Sequence, residues 1–144
     1  MDIKVDVQGL KGLEDALSEF APKLVKKAFR EAMKAAAQPE IDAAKRNAPI
    51  LKKPSPARYP GELRDSIDVK ITLKKGTVLA KIGPKRTKGE SNQSPGAWGL
   101  MIEFGSIHNP AMPYLRPAFD ETKQQSVDRF AEVLRGAVQT MGSK

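Results

Sequence analysis

The sequence predicts an α+β fold, a small antiparallel sheet packed against a long N-terminal helix and a C-terminal helix. Three observations predict it. Ile67, Val69, Ile71 and Leu73 alternate with Asp68, Lys70 and Thr72. After a turn at Lys74-Lys75-Gly76-Thr77, the residues Val78, Ala80 and Ile82 resume the alternation, which is the pattern of a hairpin with one buried face. Residues 23–47 are dense in Ala, Lys, Glu and Arg, all strong helix formers. Beyond Pro117, the residues Phe119, Thr122, Phe130, Leu134, Val138 and Met141 mark an amphipathic helix, with Gly142 as its stop.

A chain of 144 residues is long enough to bury its own core, so a single domain over 1–144 is expected. At the N-terminus Ile3, Val5 and Val7 alternate with Lys4, Asp6 and Gln8, a short strand ended by Gly9. Leu10, Leu13, Leu17 and Phe20 then recur at helical spacing, and Pro22 opens or kinks the next helical segment. Within the long helix Leu24, Ala28, Ala32 and Ala35 form one stripe, broadened by Phe29 and Ala36. Small residues there admit another backbone at close range. Pro39 should bend this helix and Ala48-Pro49 should end it. Two long segments, 49–61 with four prolines and 83–96 with a Ser, Asn, Gln and Gly run, read as flexible loops.

Residues 97–104 are ambiguous. Trp98, Leu100, Ile102 and Phe104 alternate like a strand, while Trp98, Met101 and Ile102 fit a helical turn. From 109 to 116, Pro110 and Pro113 dictate a stiff extended arm carrying Met112, Tyr114 and Leu115, and Pro117 can lie in the first turn of the following helix. Such an arm is either a connection crossing the core or a docking surface.

Composition narrows the chemistry. Lys and Arg number 25 against 17 acids, a formal charge of +8, which suits nucleic acid, an acidic protein face or simply a solvated basic surface. There is no cysteine and one histidine, so disulfide and thiol chemistry are excluded and no metal-ligand cluster can be assembled. Ser106 and His108 lie two residues apart, but no third group is assignable to orient the imidazole, so no catalytic residue is assigned and no enzyme is expected. The glycines match no phosphate or dinucleotide fingerprint, and no cofactor is expected. The N-terminus has no signal-peptide pattern and no apolar run approaches a membrane span, so a soluble protein made in a cytoplasm and acting away from membranes is expected. Glu103 stands alone between Ile102 and Phe104. A carboxylate there is costly to bury without a partner, and Arg116 or Arg64 is expected to pair with it.

Four stretches carry a family resemblance. Ile102-Glu103-Phe104-Gly105-Ser106 is followed by Ala111-Met112-Pro113-Tyr114-Leu115-Arg116-Pro117-Ala118-Phe119. Upstream stand Gly61-Glu62-Leu63-Arg64-Asp65-Ser66-Ile67 and Ala44-Lys45-Arg46-Asn47-Ala48-Pro49. In order and spacing they resemble the tail-component family of long-tailed phages and prophages, of the lambda tail protein Z type. That family has Glu-Phe-Gly-Thr after an aromatic residue, then Pro-aromatic-Leu-Arg-Pro-Ala, with Gly-x-Leu-Arg-x-Ser-Ile upstream. Ser106 replaces the usual Thr, and Trp98-Gly99 stands where Tyr-Ala is common.

The resemblance implies a virion structural protein of the head–tail junction, a neck or tail-completion component assembled in the host cytoplasm. It would form a homo-oligomeric ring, a hexamer being expected, around the DNA exit channel. The partners implied are head-closure or connector proteins, tail-terminator or tail-tube proteins, and phage DNA passing non-specifically through the lumen. On this reading Leu51, Tyr59, Trp98, Phe104, Met112, Tyr114 and Leu115 are the candidate assembly residues. The alternative is a basic DNA-binding module using Lys52, Lys53, Lys85, Arg86 and Lys88.

Overall fold

The computed structural model describes residues 2–3, 17–50, 58–74, 77–86 and 94–143. The expected strand after Ile3, the helical spacing up to Leu17 and the turn residues Lys75 and Gly76 lie outside these, as do Leu51, Lys52, Lys53, Lys88 and most of the two expected loops.

The fold is α+β. Strand β1 (Asp2–Ile3) is followed by helix α1 (Pro22–Asn47), a short helix α2 (Glu62–Ser66), the hairpin β2 (Ile67–Lys74) and β3 (Thr77–Pro84), then α3 (Pro95–Phe104) and α4 (Leu115–Gly142). The sheet order is β1-β3-β2 and every pairing is antiparallel. The hairpin register runs from Ile67 opposite Pro84 to Lys74 opposite Thr77. This keeps Val69, Ile71, Ala80 and Ile82 turned towards the helices, while Lys70, Thr72 and Lys81 are exposed.

Helix α1 starts with Pro22 at its first turn, where a missing N–H costs little. It continues through Pro39 as one helix and stops where Ala48, preceding Pro49, turns extended at φ −62°, ψ 126°. Its buried positions are mostly alanine: Ala28, Ala32, Ala36, Ala37, Ala43 and Ala44. Opposite, α4 buries Ala118, Thr122, Ser126 and Ala131. Small residues on both faces let the two helices pack closely. They run antiparallel, with Arg46 of α1 bonded to Glu121 of α4 at one end and Phe29 stacked near Phe130, at a 6.1 Å centroid separation, towards the other. The expected stripe is shifted: Leu24 is about half exposed and Met33 is buried instead.

The core has two lobes along this helix pair. One gathers Ile41, Ala44, Leu63, Ile67, Ile82, Trp98, Tyr114 and Leu115 near the start of α4. The other gathers Leu17, Ala28, Ala32, Met33, Ala80, Phe130 and Leu134 at the opposite end.

The ambiguous stretch 97–104 is helical. It buries Gly96, Trp98, Gly99 and Glu103, and leaves Leu100, Met101 and Phe104 exposed. The expected extended arm ends early, because Leu115 and Arg116 already belong to α4 and Pro117 sits within its first turn.

Candidate functional site

The segment from α3 to the start of α4 is built around one carboxylate. Glu103, 1% exposed, lies in the last turn of α3. Its Oε2 accepts the backbone N–H groups of Tyr114 at 2.7 Å and Leu115 at 2.8 Å. Its Oε1 accepts the backbone N–H of Arg116 at 3.0 Å and the Arg116 Nε at 3.0 Å. The Arg116 guanidinium also donates through Nη2 to the Glu103 carbonyl at 2.8 Å. The first N–H groups of a helix have no partner within it, and Tyr114 at the cap position brings no side-chain bond of its own. Glu103 therefore caps α4 from eleven residues upstream, where the positive end of the helix dipole also favours an anion. Burial alone would raise its pKa; the bonds from Leu115, Tyr114 and Arg116 outweigh that and lower it.

The surroundings hold this clamp. Tyr114 is fully buried, and its Oη donates to the Gly99 carbonyl at 3.2 Å. Burial, and secondarily the charge of Glu103, push its hydroxyl pKa far up, so it stays protonated. A Cβ at Gly99 would meet Pro84, Leu63 and the Tyr114 hydroxyl at 2.8–2.9 Å. An Ala in place of Gly99 therefore needs a different local packing in this chain. Arg116 reaches across the Phe104 ring at 4.9 Å. Arg64, the other candidate partner of Glu103, is committed elsewhere: its Nε lies 2.9 Å from Asp65 Oδ1.

Beyond the clamp the chain forms a tight loop. Gly105 adopts φ +80°, ψ 173°, and a Cβ there would stand 2.9 Å from the Ala111 nitrogen. Ser106 and Asn109 exchange backbone bonds at 2.9 and 3.3 Å. The Ser106 hydroxyl oxygen accepts the N–H groups of His108 and Asn109, and the Met112 N–H donates to the Ile102 carbonyl at 2.8 Å. Ser106 thus serves the loop backbone. At the tip Ile107 is 95% exposed, flanked by Phe104 at 64% and Met112 at 55%. An isolated exposed apolar residue is ordinary, but here three large ones stand exposed between residues 104 and 112.

This geometry divides the candidate assembly residues. Phe104, Met112 and Tyr59 are open to solvent. Trp98, Tyr114 and Leu115 are corrected to core residues, each at most 5% exposed, because α3 and α4 turn them inward against Leu63, Ile67 and Ala118. Trp98 is further covered by the Arg58 guanidinium at 4.8 Å. Of the basic candidates, Lys85 bonds Asp68 at 2.8 Å, which, with the Val69 N–H, lowers the Asp68 pKa, and Arg86 is exposed. Sequence reasoning missed Ile107. Its signal was a large aliphatic residue in a turn between Gly105 and Pro110. It also missed Glu40, fully buried in α1 with neither carboxylate oxygen hydrogen-bonded. Among the described residues no group of three or more His, Asp or Glu is placed to hold a metal. Nor, among the described residues, is any helix long and apolar enough to cross a membrane.

The family model described as "Bacteriophage HK97-gp10, putative tail-component" matches residues 11–105, from before α1 through α3 to the glycine of the clamp loop. The chain belongs to this family of bacteriophage tail components. No curated protein and no solved structure matches the chain significantly. Within the matched span the structure gives physical reasons for the motifs. Gly61 caps α2 at φ +89°, Leu63 and Ile67 are core, and Ser66 Oγ donates to the Leu63 carbonyl at 2.7 Å. Ala44 and Ala48 close α1 against the core, and the Glu-Phe-Gly triplet supplies the cap, the exposed ring and the turn. The Pro-Tyr-Leu-Arg-Pro stretch lies beyond the matched span and provides the three N–H groups that Glu103 binds.

Proposed function

We propose that this tail component is a single-domain neck or tail-completion protein that works by assembly. Copies form a ring, with six subunits as the working number, at the head–tail junction around the DNA exit channel. Head-closure or connector proteins meet one face, and tail-terminator or tail-tube proteins meet the other. The protein resides in the neck or tail of the virion after assembly in the host cytoplasm, and DNA passes the lumen without sequence recognition. The observation that carries this reading is the apolar tip formed by Phe104, Ile107 and Met112, fixed in place by the Glu103 clamp yet left in water by the folded chain. A rigid apolar projection next to a buried polar brace suits a protein whose task is to fasten neighbours.

The test is the state of the purified protein together with its behaviour towards DNA. Sedimentation should show concentration-dependent closure to a discrete oligomer. Duplex binding should be weak and lost steeply with salt, since only exposed Lys and Arg contribute. A monomer that forms a nanomolar, sequence-specific DNA complex at physiological salt would replace this reading with that of a DNA-binding module, in which Lys85 and Arg86 act with Lys52, Lys53 and Lys88.

A further inference from the structure

Glu40 lies in the middle of the buried side of α1. Its side-chain neighbours on the helix, three and four positions either way, are Ala36, Ala37, Ala43 and Ala44, all buried. Glu40 is itself fully buried, and neither of its oxygens has a hydrogen-bond partner. The elements packed along α1 are α4, β2, β3 and α2. The inward side chains of the sheet, Val69, Ile71, Ala80 and Ile82, are apolar, and its charges Asp68, Lys70, Lys74 and Lys81 occupy the alternate, outward positions. Every charged residue of α4 is exposed. On α2, Arg64 pairs with Asp65, and Glu62 is another acid. The N-terminal amino group favours the Glu40 anion, but burial outweighs it and lifts the carboxyl to about 7.

The side of α1 that meets α4 differs from the side that meets the sheet. Two cross-helix contacts, Arg46 with Glu121 and Phe29 with Phe130, bracket the middle of the pair. Between them stand Glu40 on α1 and Thr122 and Ser126 on α4, the buried polar residues of the two helices. Thr122 donates its hydroxyl proton to the Ala118 carbonyl at 2.7 Å, whereas the buried Ser126 Oγ has no hydrogen-bond partner. The apolar lobes flank this layer, with Leu115 and Ala118 of α4 on one side and Phe130 and Leu134 on the other. Parting the helices here would hydrate Glu40 and Ser126 together; parting α1 from the sheet would expose apolar surface.

We propose that Glu40 is a proton-operated latch on the α1–α4 seam: protonated, it lets the helices close over it, and ionised, it parts them beyond Ser126. The other end stays held by the Glu103 clamp and the Arg46–Glu121 pair. Beyond Ser126 the contact is apolar, and Val133, Ala137, Val138 and Met141 there are only partly buried, so this half opens with the least loss. The latch belongs to the single chain and requires no ring.

The chain lacks cysteine, so spin labels can be placed in pairs at exposed positions. Lys26→Cys with Gln139→Cys spans the far half of the helix pair, and Asn47→Cys with Lys123→Cys spans the clamp end. Pulsed electron–electron double resonance reads both distances at about pH 5 and about pH 9, on either side of the Glu40 transition. The Lys26–Gln139 distance should lengthen and spread at the higher pH, with a midpoint at about 7, while the Asn47–Lys123 distance stays fixed. Glu40→Gln, similar in shape and without charge, should hold the Lys26–Gln139 distance at its acid value throughout. Should that variant not fold, Glu40→Leu takes its place. An unchanged Lys26–Gln139 distance in the wild type overturns the latch. So does a lengthening that the uncharged variant keeps, or one shared by both pairs, which is unfolding of the whole chain.

Discussion

Two buried carboxylates give this protein opposite responses to pH. Glu103 is held as an anion by three backbone N–H groups and Arg116, so its folded pKa lies below its unfolded value. Its contribution is present above the unfolded pKa and is lost as pH falls through the folded one. Glu103→Ala leaves those N–H groups and Arg116 without their acceptor, and should cost on the order of 3 kcal/mol. Arg116→Ala should cost less, because that side chain is half exposed and the backbone bonds to Glu103 remain. Urea titrations at neutral pH read both, and an unchanged midpoint and slope for Glu103→Ala would refute the clamp. Glu40 behaves in reverse. Burial raises its pKa to about 7 from 4.5, so the folded chain keeps a proton that the unfolded chain releases. Buried and protonated, it avoids the cost of a buried charge below pH 4.5, and the fold loses stability as pH rises from there to about 7, a swing on the order of 3 kcal/mol. Glu40→Gln should flatten this slope, gaining stability at pH 8 relative to wild type and little at pH 4. Parallel pH–stability curves for the two proteins would contradict that.

Among the elements, the loop between α3 and α4 is the most constrained. Gly105→Ala places a side chain at positive φ against the Ala111 backbone, and a cost of about 2 kcal/mol is expected, with the spectrum of the remaining fold unchanged. Equal melting temperatures for variant and wild type would show that the loop can relax. The hairpin and both long helices are legible in the sequence because their periods, two for β2 and β3 and near 3.6 for α1 and α4, reflect one-sided burial. Helix α3 is not. Trp98, Leu100, Ile102 and Phe104 are apolar whether they face in or out, and here Leu100, Met101 and Phe104 face out while a carboxylate faces in. Tertiary capping reverses the usual pattern at that point. Glu103 stood out as a lone acid in an apolar run, yet most of its partners are backbone N–H groups, which residue types cannot reveal. Glu40 was indistinguishable from the other charges of α1; only the tertiary packing of the helix makes it a buried group.

At the scale of the whole molecule, the family assigns a tail component and the structure adds a braced apolar projection at one end of the α1–α4 pair and a buried carboxylate in its middle. On the proposed function, stability and assembly are separated along the chain. The clamp residues Glu103, Tyr114 and Leu115 are interior, so their loss should destabilise the fold; Ile107 is exterior, so its loss should spare it. The most direct measurement is in vitro joining of heads and tails from a phage lacking this protein, supplemented with purified wild-type or Ile107→Asp chain and scored as infectious particles. If the Ile107 loop fastens neighbours, Ile107→Asp, with a native circular dichroism spectrum and melting temperature, restores few or none. Full joining by that variant would contradict it.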